Sequence, residues 1–275
     1  MRTGEKLASR PEFTVTAVTC RDDHAGWSAA EARGSHGLVL VRRGRFRHRA
    51  AGVESDVDPT VAYLSSPGVA ERFAHPAGGD VCTSVTFPPR LWRALAGDDT
   101  RPARPAVYVD ARLDLAHRRL LRAGADVDYA LAEELLGLLA QALGQVVTGP
   151  TPLADRISAA DRAHVAAARQ AIAEDDPVSR GLFPLAEALG VSPYRLSRAF
   201  TRELGVSLTR YRNRVRIGRA LDRLEQGEPS LAALAADLGF ADQAHLTRTV
   251  RTHVGYPPRA VRGLLDPTIG PCAAG

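Results

Sequence analysis

The chain has 275 residues, of which 36 are Lys or Arg and 31 are Asp or Glu, giving a formal net charge of +5 at neutral pH. No stretch approaches the ~18 consecutive apolar residues of a membrane span, and the first residues, MRTGEKLASRPEF, lack the apolar run of a signal peptide. Three scattered cysteines are too few for a disulfide framework. Composition therefore argues against a membrane protein or a secreted protein and predicts a cytoplasmic one.

The N-terminal part of the chain has the texture of short β-strands separated by turns rich in Gly and Pro. Phe13–Cys20 alternates apolar residues with Thr, and residues 37–41 form a short β-branched run. Further strands are predicted at 60–64, 69–73 and 81–87. Many short strands with such turns are typical of a small barrel or sandwich, which we place at residues 1–110.

Two cysteines and two histidines in this part form a candidate metal set. Cys20-x-x-x-His24, together with His75 and Cys82, would supply the two thiolates and two imidazoles of a structural zinc site if the strands bring them together. Alternatively, the two cysteines are small buried hydrophobes. The sequence leaves both interpretations open, and we predict no metal ligand and no cofactor.

Arginines cluster on a predicted hairpin in the same part, at positions Arg42, Arg43, Arg45, Arg47 and Arg49. Strand alternation should place the last three on the face opposite Phe46 and His48. They either bind an acidic effector or partner surface, or form a solvated edge that discourages pairing with another strand.

Two helices are predicted next, as a helical pair at 111–148. The second carries a stripe of Leu131, Leu135, Leu138 and Ala142 with further leucines beside it. Because this apolar arc is wider than one barrel face needs, it either joins two subunits in a homodimer or packs on the chain's own barrel. Turn-forming residues at 149–157 then predict a linker between domains.

An internal repeat dominates the rest of the chain. Residues 185–205 read LAEALGVSPYRLSRAFTRELG, and residues 234–255 read LAADLGFADQAHLTRTVRTHVG. The first half of each copy matches at an offset of 49 and the second half at 50, so the second copy carries one extra residue in its turn. Residues 151–275 also hold 17 Arg and 13 acidic residues, so most of the positive excess belongs to this half.

Each copy predicts two short helices around a tight turn. In the first copy Gly190 suits a left-handed cap, and Ser192 followed by Pro193 opens the next helix. That helix points apolar residues inward and leaves a polar and basic face outside, which is typical of a helix-turn-helix. Its outer residues are Tyr194, Ser197, Arg198 and Thr201 in the first copy, and Ala244, Thr247, Arg248 and Arg251, with Gln243 at the edge, in the second.

A predicted helix at 208–224 joins the copies. One stripe carries Arg212, Arg216, Arg219 and Arg223, while Ile217, Leu221 and Leu224 face the other way. At about 1.5 Å per residue the helix is roughly 25 Å long, which suits two helices set in successive major grooves of DNA.

Residues 158–265 resemble the DNA-binding domain of the AraC-type (AraC/XylS) transcriptional regulators. The matching residues are Gly205-Val206-Ser207, Tyr211, Arg216, Ala220, Leu224, Leu231-Ala232-Ala233-Leu234-Ala235, Gly239-Phe240-Ala241-Asp242-Gln243 and Gly255-Tyr256-Pro257-Pro258. Val250 and Val261 depart from the pattern, because the family usually has aromatic residues there. The resemblance implies an α+β chain with a cupin-like β-barrel for an effector, followed by two helix-turn-helix units on a long helix. We expect the tail, 266–275, to be disordered.

The resemblance implies a sequence-specific regulator that binds duplex operator DNA and responds to a small effector, with RNA polymerase as a candidate partner. The residues expected to read bases are Tyr194, Ser197, Arg198, Gln243, Ala244, Thr247 and Arg248. The residues expected to hold phosphates are Arg195, Arg202, Arg212 and Arg251. Two alternatives stay open: a DNA-binding module fused to a catalytic or metal-binding domain, and an architectural DNA binder without a ligand. Because no catalytic constellation stands out, we predict that the protein is not an enzyme.

Overall fold

The computed structural model describes residues 2–21, 24–97, 105–123, 129–147 and 158–265. Contacts divide the chain into two units, one centred on residues 1–149 and the other on residues 150–262. The first unit is mainly β and the second is all helical, so the predicted α+β class is confirmed. The predicted linker at 149–157 and the predicted disordered tail at 266–275 lie outside the described residues.

The strands of the first unit form two antiparallel sheets. Within the described residues they are β1 Arg2–Arg10, β2 Phe13–Cys20, β3 Glu31–Ala32, β4 His36–Arg43, β5 Phe46–Ala50, β6 Val53–Val57, β7 Val61–Ser65, β8 Ala70–Ala74, β9 Asp80–Phe87 and β10 Ala106–Tyr108. One sheet has six strands in the order β1-β2-β9-β4-β7-β10, and the other has four in the order β3-β8-β5-β6.

The six-stranded sheet lies between two apolar cores. In β4, Leu38 and Leu40 join a core shared with helices, whereas Val39 and Val41 join a core shared with the four-stranded sheet. Successive side chains of a strand point to opposite faces, so residues 38–41 of β4 are all apolar because both faces of the strand are covered there. The unit therefore has three layers, helices on sheet on sheet, and its strands lie in two facing sheets.

The helical layer of the first unit consists of α1 Pro89–Ala96, α2 Ala111–Arg122 and α3 Ala130–Val147. Asp110 begins α2, since its carboxylate accepts hydrogen bonds from the backbone N–H groups of Arg112 and Leu113. The α3 stripe, including Leu135 and Leu138, is buried in the core shared with the six-stranded sheet. The apolar arc therefore packs on the chain's own sheet, and Leu136 is the leucine of α3 that stays exposed.

The second unit begins with α4, Ala159–Ala173, which is capped by the preceding Ser158, whose hydroxyl accepts a hydrogen bond from the Asp161 backbone N–H. Its elements are α4 Ala159–Ala173, a 3-10 turn Pro177–Arg180, α5 Leu182–Ala188, α6 Pro193–Leu204, α7 Leu208–Glu225, α8 Leu231–Asp237, α9 Gln243–Val254 and α10 Pro258–Leu265. Across the described parts of both units, every helix is too short or too polar to traverse a lipid bilayer.

The helix α7 supports the remainder of the second unit. Its inner face carries Ile217, Leu221 and Leu224, all buried as predicted, and it contacts both α6 and α9. Val250 and Val261 are fully buried as well, so the two aliphatic departures lie in the core around the second copy.

Candidate nucleic-acid interface

The turn of the first helix pair closes through backbone hydrogen bonds at the end of α5. Gly190 has φ of +63°, a left-handed conformation that glycine adopts without a steric penalty. Its N–H donates to the Glu187 carbonyl at 3.0 Å, and the Val191 N–H donates to the Ala186 carbonyl at 3.0 Å. The chain is thereby turned sharply into α6.

The second helix pair repeats these hydrogen bonds 49 residues later. Gly239 has φ of +69°, and its N–H donates to the Ala236 carbonyl at 3.0 Å. The Phe240 N–H donates to the Ala235 carbonyl at 2.8 Å. Residues that are 49 positions apart in the sequence therefore make equivalent backbone hydrogen bonds in the two copies.

The helices after the turns begin at equivalent caps that are 50 residues apart. The Ser192 hydroxyl accepts a hydrogen bond from the Arg195 backbone at 3.2 Å, and the Asp242 carboxylate accepts one from the His245 backbone at 2.6 Å. The intervening segments are 189–192 and 238–242, so the second is one residue longer. The extra residue predicted in the second turn lies between the helices and leaves both helices intact.

The outer face of α6 carries an aromatic ring and an arginine in contact. Tyr194 is 70% exposed, Arg198 is exposed and Ser197 is half-buried. Arg198 Nη1 donates to the Tyr194 hydroxyl at 2.6 Å, and its guanidinium lies 5.5 Å from the centre of the Tyr194 ring. The three residues predicted to read bases in the first copy therefore share one surface.

The outer face of α9 is equally accessible but has no aromatic ring at the equivalent position. Gln243, Ala244, Arg248 and Arg251 are exposed, and Thr247 is half-buried. Because Ala244 stands where α6 has its tyrosine, the guanidinium of Arg248 has no equivalent ring beside it on this helix.

A basic hollow of about 330 Å³ lies along α6, from Tyr194 to Arg202. Arg195, Arg198 and Arg202 line it, together with Asp161 of α4. Arg195 Nε donates to the Asp161 carboxylate at 2.8 Å. The Ser158 hydroxyl and then Arg195 hold the pKa of the Asp161 carboxyl below its usual range. An acidic group thus lies within the predicted phosphate-binding surface.

The arginine stripe of α7 contains an internal anchor that the sequence does not predict. Arg216 Nε donates to the Leu238 carbonyl at 2.9 Å, and the guanidinium lies 3.8 Å from the centre of the Phe240 ring. Partial burial lowers the pKa of Arg216. This side chain ties the connecting helix to the turn of the second copy.

Two further members of the stripe also bind protein groups. Arg219 Nη2 donates to the Ala173 carbonyl at 2.8 Å, at the end of α4. Arg223 binds Glu228, and its Nη1 lies 3.2 Å from the Asp237 carboxylate. Three of the four arginines of the stripe therefore connect elements of the unit, and Arg212 is the half-buried fourth.

A cavity of about 110 Å³ lies in the first unit, between its two sheets. Phe46, Tyr63 and Phe73 line it, as do Cys20, Cys82 and other polar residues. Both cysteines are buried, as in the hydrophobic interpretation, and they face the same cavity. Burial and then the neighbouring Asp80 carboxylate raise the pKa of the Cys82 thiol.

The histidines of the candidate zinc set have different positions around this cavity. His75 is buried and lines it, whereas His24 is exposed at its rim with its ring centre 5.1 Å from that of His75. His24 Nδ1 lies 2.8 Å from the Gly26 carbonyl. The structure brings Cys20, His75 and Cys82 together, and it adds Asp80, which the sequence interpretation missed.

The arginines of the predicted hairpin alternate with buried residues as expected. Arg47 and Arg49 both bind Glu54, and their guanidinium carbons lie 4.8 and 4.2 Å from the centre of the Trp27 ring. This pair is therefore engaged at the sheet surface, away from the buried face of β5.

Two helix pairs with the same turn contacts, presenting two accessible basic helices, define a double helix-turn-helix protein. A family model described as a helix-turn-helix domain matches residues 185–263. Multiple antibiotic resistance protein MarA of Escherichia coli strain K12 is 31% identical over 88 residues, which cover 32% of this chain and 68% of MarA. The chain belongs to the AraC-type family of helix-turn-helix regulators.

The other similarities have different extents. The transcriptional activator RhaS of Escherichia fergusonii is 31% identical over 78 residues, so the match spans only 28% of each chain. Among solved structures, ToxT of Vibrio cholerae O395 covers 93% of this chain and 99% of its own, at 11% identity and a TM-score of 0.37.

Proposed function

We propose that this protein is a sequence-specific DNA-binding regulator of transcription that acts in the cytoplasm and is not an enzyme. The observation that carries the proposal is the pair of accessible basic helices, α6 and α9, held by equivalent turns and caps on either side of α7. A helix of this kind fits the major groove of B-DNA. Two of them in one chain allow two successive grooves to be read.

Direct readout is assigned to the outer residues of both helices. Arg198 and Arg248 are exposed and can donate two parallel hydrogen bonds to guanine O6 and N7. The methyl groups of Ala244 and Thr247 suit contact with thymine methyl groups. Tyr194, Ser197 and Gln243 complete the proposed base-reading set at the edges of the groove.

Phosphate contacts are assigned to Arg195, Arg202, Arg212 and Arg251. Contacts of this type fix the position of the protein on the duplex without reading its sequence, and they make affinity fall as salt rises. Arg195 is the least direct of the four, because it must exchange its Asp161 partner for a phosphate or share itself between the two.

The decisive experiment is selection of bound sites from random duplex DNA with the purified full-length chain. We expect enrichment of a site with two conserved segments whose centres are about 10 base pairs apart. The Arg198→Ala/Arg248→Ala double variant should lose the enriched sequence but keep non-specific binding. The matched control, Arg90→Ala, changes an exposed arginine of the first unit. If wild-type protein enriches no sequence, sequence-specific regulation is excluded.

A small effector is proposed to bind in the cavity between the two sheets of the first unit. Its lining combines three aromatic side chains and two valines with polar and charged groups, and polar groups set in an aromatic wall can orient a small molecule. A thermal-shift screen tests this, because a ligand at 100 times its dissociation constant adds about 2.7 kcal/mol of stability. A hit should lose its shift in Phe73→Ala, and the absence of any hit favours an architectural DNA binder instead.

A homodimer is proposed to form through the exposed apolar residues on and beside α3. Leu136 is 43% exposed and Tyr129, one heptad earlier, is 75% exposed, so both lie on the same side of the helix. Sedimentation should show a dimer that Leu136→Glu dissociates, while Glu133→Gln does not. A monomer at micromolar concentration would rule the dimer out. RNA polymerase is a further proposed partner, for which a reporter assay at the selected site is the test.

A further inference from the structure

We propose that Cys20, His75 and Asp80 bind a thiophilic divalent metal ion, with Zn²⁺ as the expected occupant, in the cavity between the two sheets. One thiol sulfur, one imidazole nitrogen and one carboxylate oxygen of these residues all lie within 4.8 Å of one another, and all three residues are buried. This site is independent of the DNA-binding surface.

The sheet places two of the three ligands opposite each other. Cys20 is the last residue of β2 and Asp80 is the first residue of β9, and the two are direct partners in the antiparallel register. Directly opposed residues on adjacent strands point to the same face, with Cβ atoms roughly 5 Å apart. His75 follows β8 of the other sheet, so the proposed site joins both sheets.

A glycine before Asp80 permits this close approach. A Cβ atom on Gly79 would lie 2.2 Å from the Cys20 carbonyl oxygen and 3.2 Å from the Cα of Arg21. Any side chain at position 79 would therefore push the start of β9 away from the end of β2. Glycine here keeps the thiol and the carboxylate within reach of one ion.

The donor set favours zinc over the hard cations. Sulfur and imidazole nitrogen are ligands that Zn²⁺ prefers, whereas Mg²⁺ and Ca²⁺ select oxygen atoms. Ligand atoms around tetrahedral Zn²⁺ lie about 3.4 Å apart, so the observed cluster needs only small side-chain movements to close on an ion. Three protein ligands leave a fourth position for water or a small ligand.

The charges of the proposed ligands support a site with one thiolate and one carboxylate, without a second thiolate. A thiolate from Cys20 and a carboxylate from Asp80 neutralise the two positive charges of Zn²⁺, and neutral His75 adds none. A site without net charge costs least in a buried position. A second thiolate would leave the buried site with an excess negative charge.

Cys82 is therefore assigned to the support of a ligand. Its Sγ lies 2.7 Å from Asp80 Oδ2, so the thiol donates to the carboxylate that binds the metal. The cysteine lies two residues further along β9 and so faces the same cavity. His75 Nε2 lies 3.1 Å from Asp80 Oδ1, a pairing that the metal ion would replace or bridge.

The test uses full-length protein freed of metal under reducing conditions and titrated with Co²⁺, a coloured substitute for Zn²⁺. We expect one equivalent to produce the intense visible bands of tetrahedral Co²⁺ and a thiolate-to-cobalt band in the near ultraviolet. Zn²⁺ should abolish both. Cys20→Ser should remove the thiolate band, and Asp80→Asn should weaken Co²⁺ binding by more than tenfold.

Two cysteine variants serve as matched comparisons. Cys272→Ser removes a thiol that is far away in sequence and should leave the spectrum unchanged. Cys82→Ala should keep the thiolate band while lowering affinity about tenfold, which is the usual effect of losing a group that supports a ligand. Loss of the band in Cys82→Ala would overturn the assignment of the ligands.

Wild-type protein alone provides a check if a cysteine variant fails to fold. X-ray absorption at the zinc edge should report one sulfur and two or three nitrogen or oxygen neighbours. Two sulfur neighbours, or none, would overturn the proposed ligand set. An unchanged Co²⁺ spectrum in wild-type protein, identical to that of the free ion, would overturn the site itself.

Discussion

Arg198 and Arg248 are equivalent residues of the two copies, yet their surroundings differ. The guanidinium of Arg198 is braced by the hydroxyl and ring of Tyr194, whereas α9 has Ala244 at the corresponding position. A braced side chain loses less conformational freedom when it binds. The contribution of Arg198 to DNA binding should therefore depend on Tyr194, whereas that of Arg248 should not depend on residue 244.

Arg198→Ala is expected to cost about 1–3 kcal/mol of binding to the selected site and to relax the preference at one base position. Tyr194→Phe should weaken binding through Arg198, so the double variant should lose less than the sum of the single losses. Gel-shift titrations of the four proteins measure this coupling. Additive losses would mean that the tyrosine does not position the arginine.

Asp161→Asn should strengthen binding to every DNA sequence. The substitution removes a negative charge from the proposed phosphate-binding surface and releases Arg195 from its partner at 2.8 Å. Glu5→Gln, which makes the same charge change at an exposed site of the first unit, is the control. Fluorescence anisotropy with non-specific duplex DNA at several salt concentrations measures both. An equal change in DNA affinity in the two variants would show that breaking the ion pair between Arg195 and Asp161 does not improve phosphate binding.

At the scale of elements, the double helix-turn-helix could be predicted closely from the sequence. Its turns and caps depend on residues that are close in sequence, such as Gly190 in a left-handed conformation and Ser192 as a helix cap. The internal repeat contains these features in both copies, which strengthens the prediction. The strand β1 could not be predicted. It is an exposed edge strand in which only Ala8 is buried, so it carries no apolar alternation.

The arginine stripe of α7 shows that helical periodicity predicts which face a residue lies on but not which groups it contacts. Periodicity places Arg212 and Arg216 on one face correctly, but it does not show which protein groups approach that face. The contacts of Arg216 arise from the turn of the second copy, more than twenty residues away. For the same reason Asp80 was missed, because its proximity to Cys20 depends on the pairing of β2 with β9.

Arg216→Ala should destabilise the second unit by about 2 kcal/mol, since it removes a charge-assisted hydrogen bond to the Leu238 carbonyl and a cation–π contact with Phe240. Arg212→Ala should leave the stability almost unchanged and instead reduce the salt slope of DNA binding by about 1. Urea unfolding and salt titration of both variants separate the two roles. If Arg212→Ala is the more destabilising variant, the assignments are reversed.

At the scale of the whole molecule, the stability of the first unit should depend on pH through His117. This residue is fully buried, its Nε2 lies 2.8 Å from the Thr83 hydroxyl, and burial followed by the nearby Arg42 lowers its pKa to about 3. The unfolded chain takes up a proton near pH 6.5, but the folded chain does not. Stability is therefore complete above pH 6.5 and falls as the pH decreases from there toward 3.

The expected slope is about 1.4 kcal/mol of unfolding free energy per pH unit within that window. His117→Gln should flatten this part of the profile, although it can lower stability at neutral pH. His24→Gln, at an exposed histidine, is the control and should leave the slope as it is. Chemical denaturation at a series of pH values measures all three proteins. A wild-type profile without a decline between pH 6 and 4 would contradict the prediction.

The two helix pairs differ in the length of their turns and in their outer residues, so the proposed DNA-binding surface is asymmetric. One copy presents a tyrosine, a serine and an arginine, and the other an alanine, a threonine and an arginine, so under the proposed readout we expect the two copies to prefer different bases. A target bound by one chain should therefore be non-palindromic, with a defined left and right end. Inverting such a target next to a promoter would exchange the positions of α6 and α9 relative to the promoter, and the orientation of the site would then matter as much as its presence.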